Sequence, residues 1–237
     1  EGPIIKDRTS FIIAGRRTYA DLFARPFMPE STDLTLYFYD LNAKINHKIS
    51  KNNRLYLSAY MGNDAFGVNY DASREGGKGR GESEVGTLNF GLGYGNITST
   101  LRWNHLFSDK LFSNTTLTYS KYSFHTDFGL SSSQSNSFGN EDININFGYL
   151  SGIEDLGGRI DFDYAPNPNH DIKFGTSYTY HHFSPGETNL NFSINFPTID
   201  TLNQDINMDT ILNFSGNTNV HEMFFYVEDN VRITNRL

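Results

Sequence analysis

From Tyr37 to Ile49 the chain alternates strictly. Tyr37, Tyr39, Leu41, Ala43, Ile45, His47 and Ile49 form one set, and Phe38, Asp40, Asn42, Lys44, Asn46 and Lys48 form the other. A helix would scatter both sets around its circumference, whereas a strand, with its period of two, sends them to opposite faces. One face is then mostly apolar and the other rich in amides and charge. A soluble sandwich would bury the apolar face against a second layer. In a bilayer that face meets lipid, and the polar face lines an aqueous interior.

The connections add a second constraint. Strands are predicted near residues 9–19, 36–49, 54–62, 85–106, 111–126, 143–164, 171–183 and 221–234. Short turns at 50–53, 107–110 and 165–170 alternate with long polar connections at 20–35, 63–84, 127–142 and 184–220. Pro166, Asn167, Pro168 and Asn169 supply turn chemistry in the last short one. Short turns at one end and long loops at the other are the pattern of a transmembrane β-barrel, with the short turns towards the periplasm. The expected fold is therefore all-β, an antiparallel transmembrane β-barrel seen here as about eight strands in one domain.

Two predicted strands, 85–106 and 143–164, are about twice as long as the ~9 to 11 residues needed to cross a bilayer, and the apolar phase changes within each. Leu88, Phe90, Leu92 and Tyr94 precede Gly95 and Asn96, after which Ile97, Ser99, Leu101 and Trp103 take the other parity. A glycine bulge would realign the two sets on one face. Likewise Ile143, Ile145, Phe147 and Tyr149 give way after Gly152 to Ile160, Phe162 and Tyr164. Strands this long are expected to project beyond the membrane. The final strand leaves its register open, because placing Phe225, Val227, Val231 and Ile233 outward also places Asp229 there.

No apolar run approaches the ~18 residues of a spanning helix, so any crossing must use strands. The absence of cysteine excludes disulfides and thiolate metal sites. A net charge of −8 speaks against nucleic acid as a partner. An exported protein carries a secretion signal, and none stands at the amino terminus, so a processed product or an excerpt is expected.

Several segments look familiar as residues. Glu1-Gly-Pro-Ile-Ile-Lys-Asp-Arg-Thr-Ser-Phe11, Gly15-Arg-Arg-Thr-Tyr19, Tyr39-Asp-Leu-Asn-Ala-Lys44 and Leu101-Arg-Trp-Asn-His105 resemble barrel segments of TonB-dependent outer-membrane receptors. So do Phe112-Ser-Asn-Thr-Thr-Leu-Thr-Tyr119, Phe162-Asp-Tyr-Ala-Pro-Asn-Pro-Asn-His170 and Phe225-Tyr-Val-Glu-Asp229. The resemblance is to the branch with an amino-terminal carboxypeptidase-regulatory-like extension. It implies about eight strands of a barrel of about 22, filled by a plug domain. It also implies a Gram-negative outer-membrane location and uptake of a scarce ligand (peptide, oligosaccharide or metal chelate) using energy delivered by TonB. A surface lipoprotein partner belongs to the same set of implications. The chain departs from the family in lacking a plug, a TonB box and a terminal aromatic residue, so it reads as about a third of a barrel. The alternative is a complete small eight-stranded barrel with a structural or adhesive role; Gly91, Gly93 and Gly175, read as interior glycines, favour the larger one.

The polar residues expected to face the lumen are Arg16, Asp40, Asn42, Lys44, Asn46, Arg159, Asp161, Asp163, Lys173 and His181. They would meet a plug or a ligand, or simply pair with one another. Asp161 and Asp163 share a face, as acid and base catalysis requires, yet that spacing is common on any strand, and no enzymatic activity is expected. His181 and His182 must point to opposite faces and cannot share a metal. Asp205, Asn207 and Asp209 begin like a calcium loop, but Thr210 and Gly216 stand where its glycine and glutamate belong. No cofactor or metal is expected. Gly76 to Gly81 lacks phosphate-loop spacing and reads as an external loop. Phe23, Phe27, Phe66, Tyr70, Phe138 and Phe196 are read as loop aromatics able to stack on a ligand. Tyr119, Tyr122, Tyr164, Tyr178, Tyr180 and Trp103 are read as an outward girdle.

Overall fold

The computed structural model describes residues 1–75, 83–136, 139–195, 205–213 and 216–233. Among the described residues ten strands form one antiparallel sheet: β1 (Gly2–Ile5), β2 (Thr9–Arg17), β3 (Thr32–Lys48), β4 (Asn53–Glu75), β5 (Ser83–Ser108), β6 (Leu111–Asn136), β7 (Gly139–Asn167), β8 (His170–Asn195), β9 (Asp205–Asn213) and β10 (Thr218–Val231). Sequence neighbours pair from β1 to β8. Beyond them β10 pairs with the half of β8 nearest the short turns, and β9 with the other half. Among the described residues β1 and β10 have no partner on their outer sides, and the sheet is open. A short helix, α1 (Ala20–Ala24), runs into a 3-10 turn at Arg25–Phe27 that begins with Pro26 near its first position.

The sheet departs from the sequence reading in three ways. Strands β1 and β9 were not expected, and β9 lies inside the connection read as a loop. Strands β4 to β8 are 23 to 29 residues long, so most of the connections at 63–84, 127–142 and 184–220 are strand. Their Ser, Asn and Gly content resembles that of loops, but Ser131, Ser132 and Ser133 lie opposite Thr87, Gly86 and Val85 in an unbroken ladder. Pairing with a neighbour of equal length satisfies the backbone, whatever the composition. Third, no bulge interrupts β5 at Gly95 or Asn96. The one break near Gly152 lies on the other strand of its pair: Leu150 opposes Glu187 and Gly152 opposes Ser184. The extra residue therefore sits in β8, at Pro185 and Gly186, where Gly186 takes φ +147°.

The register explains the phase changes differently. Residues directly opposite in an antiparallel pair share a face. Following the ladders, Asn63, Gly95, Ser123, Gly152 and Ser184 form one cross-strand row on what we term the first face. Between that row and the short turns, the first face carries Leu57, Leu101, Leu117, Ile160, Phe162 and Phe174. The second face there carries Arg16, Asp40, Lys44, Arg102, Asp161 and Lys173. Beyond the row the faces exchange character. The first face shows Asn69, Asn89, Asp127, Asn146 and Asn191, and the second shows Phe66, Phe90, Phe128, Phe147 and Leu190. The chain does not slip to keep its apolar residues on one side; the apolar surface itself crosses the sheet at mid-height.

Neither surface is covered. Among the described residues no apolar side chain is buried, and only Thr9, Ser113 and Thr188 are. This is a single layer with two exposed apolar bands, one per face. A soluble domain buries such bands in a core. The last strand is now in register: Val227 lies opposite Phe174, so Phe225, Val227 and Asp229 share the first face. Asp229 Oδ2 lies 2.8 Å from Nδ1 of His170.

Candidate functional site

The second face between the exchange row and the short turns gathers every polar residue that the sequence assigned to an interior. Arg16 and Asp40 are directly opposite, and Arg16 Nε donates to Asp40 Oδ2. Arg159 Nε donates to both oxygens of Asp161, at 2.9 and 2.8 Å. The hydroxyl of Tyr226 also donates to Asp161 Oδ1, at 2.7 Å, reaching across Gly175 from two strands away. Asp161 is thus an acceptor held on two sides. Asp163 shares its face and lies opposite Lys173. The two carboxylates are side by side as expected, but each faces a cation of its own.

Further along, Lys44 Nζ lies 5.7 Å and Arg102 Cζ 4.6 Å from the centre of the Tyr56 ring. These groups line an open cavity of about 500 Å³ with Ser58, Thr100, Thr116 and Arg159. Asn42 and Lys44 border a second cavity, of about 360 Å³, with Tyr60 and Thr98. Nearer mid-height, His181 Nδ1 is 2.8 Å from Asp155 Oδ1, and its Nε2 is 3.4 Å from Glu222 Oε2. His182, on the opposite face as its parity requires, has Nδ1 2.7 Å from Asn219 Oδ1.

Several assignments change. Phe66 and Tyr70 are not on a loop: both lie in β4 on the second face, where the rings of Phe66 and Phe90 meet edge to face at 6.0 Å. Phe138, Phe196 and Gly76 to Gly81 lie outside the described residues. Phe23 and Phe27 sit on the helical segment and are exposed. Gly91 and Gly93 belong to the first face, beside Asp127 and His125, so only Gly175 stands among the charged set. Tyr122 is on the second face, unlike Tyr119 and Trp103. The segment 205–213 is strand β9 rather than a calcium-type loop.

Sequence reasoning missed Tyr56, Arg102, Asp155, Glu222 and Tyr226. The signal for Arg102 lay in the triplet Leu101, Arg102, Trp103, whose alternation puts a lone cation opposite two large apolar groups. Tyr226 could not be found from its own strand, because its role depends on Gly175 leaving room in the next one. No protein-family model and no curated protein matches the chain.

Proposed function

We propose that the half of the sheet nearest the short turns is a membrane-spanning β-barrel segment of an outer-membrane transporter. The observation that carries this reading is the exchange of apolar surface between faces at one cross-strand row. Below that row the apolar band runs in β5 from Ile97 to Phe107. At ~3.3 Å per residue and a tilt of ~40°, that is ~25 Å tall, the height of the lipid-facing band of an outer-membrane barrel. Lys121 and Glu154 lie opposite each other at its upper margin, where charge reaches water. Above the row the same strands stand in water, so the polar first face is outward and the apolar second face inward. A single solvent on the first face explains neither half.

The charged second face then lines the interior, and an open sheet in lipid requires further strands on both edges, because unpaired backbone groups are costly there. The ten-stranded open sheet favours a large barrel over a closed eight-stranded one with an adhesive role. The resemblance to TonB-dependent receptors supplies the rest: a plug, coupling to TonB, and import of a peptide, oligosaccharide or metal chelate, with a surface lipoprotein as a further partner. Trp103 tests the placement. It lies on the first face within the band and is 41% exposed. In vesicles containing brominated lipid, the fluorescence lost on bromination should vanish in the Trp103→Phe variant. Wild-type fluorescence unchanged by bromination of the lipid would refute the placement.

A further inference from the structure

Three cations surround one ring. Tyr56 stands on the second face with Lys44 and Arg102 against its ring, and Arg54 Nη1 donates to its hydroxyl at 3.5 Å. Lys48, a fourth cation, lies directly opposite Arg54. Among the described residues, Arg16 and Arg159 have carboxylate partners and these four have none within 4.0 Å. Like charges this close repel, and stacking on a tyrosine offsets only ~0.5 to 1 kcal/mol for each cation. The cluster is therefore arranged for an anion.

The polar atoms around it define that anion further. Arg102 Nε is buried and makes no hydrogen bond within the protein, and the same is true of the side-chain oxygens of Asn46, Asn104 and Asn114. Asn46 lies opposite Tyr56, Asn104 opposite Arg54, and Asn114 opposite Asn104. The oxygens require donors and the cations acceptors: Lys44, Arg102 and Asn114 line the cavity of about 500 Å³ beside Tyr56, whose Asp161 is already held by Arg159 and Tyr226, whereas Arg54, Lys48 and Asn46 line a separate cavity of about 250 Å³.

We infer that this cavity binds a hydroxyl-bearing carboxylate: Lys44 and Arg102 take the carboxylate oxygens, and the side-chain oxygen of Asn114 accepts from its hydroxyl. The inference rests on the membrane reading only for the statement that this face lines an interior. Binding is measured on the protein in detergent by calorimetry at constant ionic strength, since exposed charge pairs are screened by salt. Citrate is the probe, and propane-1,2,3-tricarboxylate is the same skeleton without the hydroxyl. Saturable citrate binding is expected, weaker for the analogue. Arg102→Gln and, separately, Lys44→Gln should each weaken it at least about tenfold, the scale of losing one hydrogen bond to a charged group. Lys121→Gln, on the other face, should leave it unchanged. Absence of saturable citrate binding, unchanged affinity in both Arg102→Gln and Lys44→Gln, or equal affinity for the two probes overturns the inference. Citrate binding without bromolipid quenching of Trp103 keeps this site and removes the membrane reading instead.

Discussion

Gly175 shows how a residue with no side chain organises charge. A Cβ there would lie 2.6 Å from the carbonyl oxygen of Ile160, 2.7 Å from Cε1 of Tyr226 and 2.8 Å from Oδ1 of Asp161. All are closer than packing allows, and the first is backbone, which cannot step aside cheaply. Gly175→Ala should therefore push Tyr226 off Asp161 and cost ~1 to 3 kcal/mol, combining overpacking with a lost charge-assisted hydrogen bond. Denaturant unfolding in detergent measures this. If the lost bond is the main effect, Tyr226→Phe added to Gly175→Ala costs almost nothing more. Parity alone placed Asp161, Asp163 and Lys173 on one face, because that needs only counting by two. The bond from Tyr226 was illegible for a different reason: which residue faces Gly175 depends on the register between β8 and β10, set by the whole ladder.

At the level of the strand, β5 behaves as two elements joined without a seam. Leu88, Phe90 and Leu92 leave one face and Ile97, Leu101 and Trp103 the other, with continuous pairing on both sides. The parity change was visible in the sequence, but it fits either a bulge that keeps the apolar face constant or a change of surroundings that does not. Only the unbroken ladders with β4 and β6 separate the two. The same ambiguity hid the length of the strands, since segments such as Ser131 to Ser133 are polar on both parities and resemble loops until they are paired. The bulge in β8 at Pro185 and Gly186 lies one step above the exchange row, where the ladder can change without disturbing the band below. A charge on the first face should therefore have opposite consequences in the two halves. Leu101→Arg, in the middle of the apolar band, should destabilise by ~2 to 4 kcal/mol, the cost of Arg at a bilayer midplane. Ser133→Arg, at an exposed position on the same face beyond the row, should change stability by less than ~0.5 kcal/mol. Unfolding titrations of the two variants in lipid vesicles compare them directly, and equal costs would mean that both halves meet the same solvent.

Over the whole molecule, the missing core is the strongest constraint. A layer with no buried apolar side chain among its described residues gains its stability from what surrounds it. On the proposed membrane placement, lipid satisfies the first face below the exchange row. Above it, on the same reading, the apolar second face, with Phe66, Phe90, Phe128 and Phe147, is covered from inside a closed barrel. On that reading closure matters to both halves: it would remove the edges of the sheet in the membrane and enclose the apolar lining outside it. This arrangement fixes which positions see external water. The chain has no cysteine, so single introduced thiols report cleanly. In intact cells, a membrane-impermeant maleimide should label Asn89→Cys and Asn146→Cys, which lie on the first face above the row. It should leave Leu117→Cys, on that face within the band, unlabelled until detergent is added. Labelling Leu117→Cys as fast as Asn89→Cys would place the whole first face in water, and the exchange at Asn63, Gly95, Ser123, Gly152 and Ser184 would then mark a turnover between two soluble packing surfaces rather than the edge of a membrane.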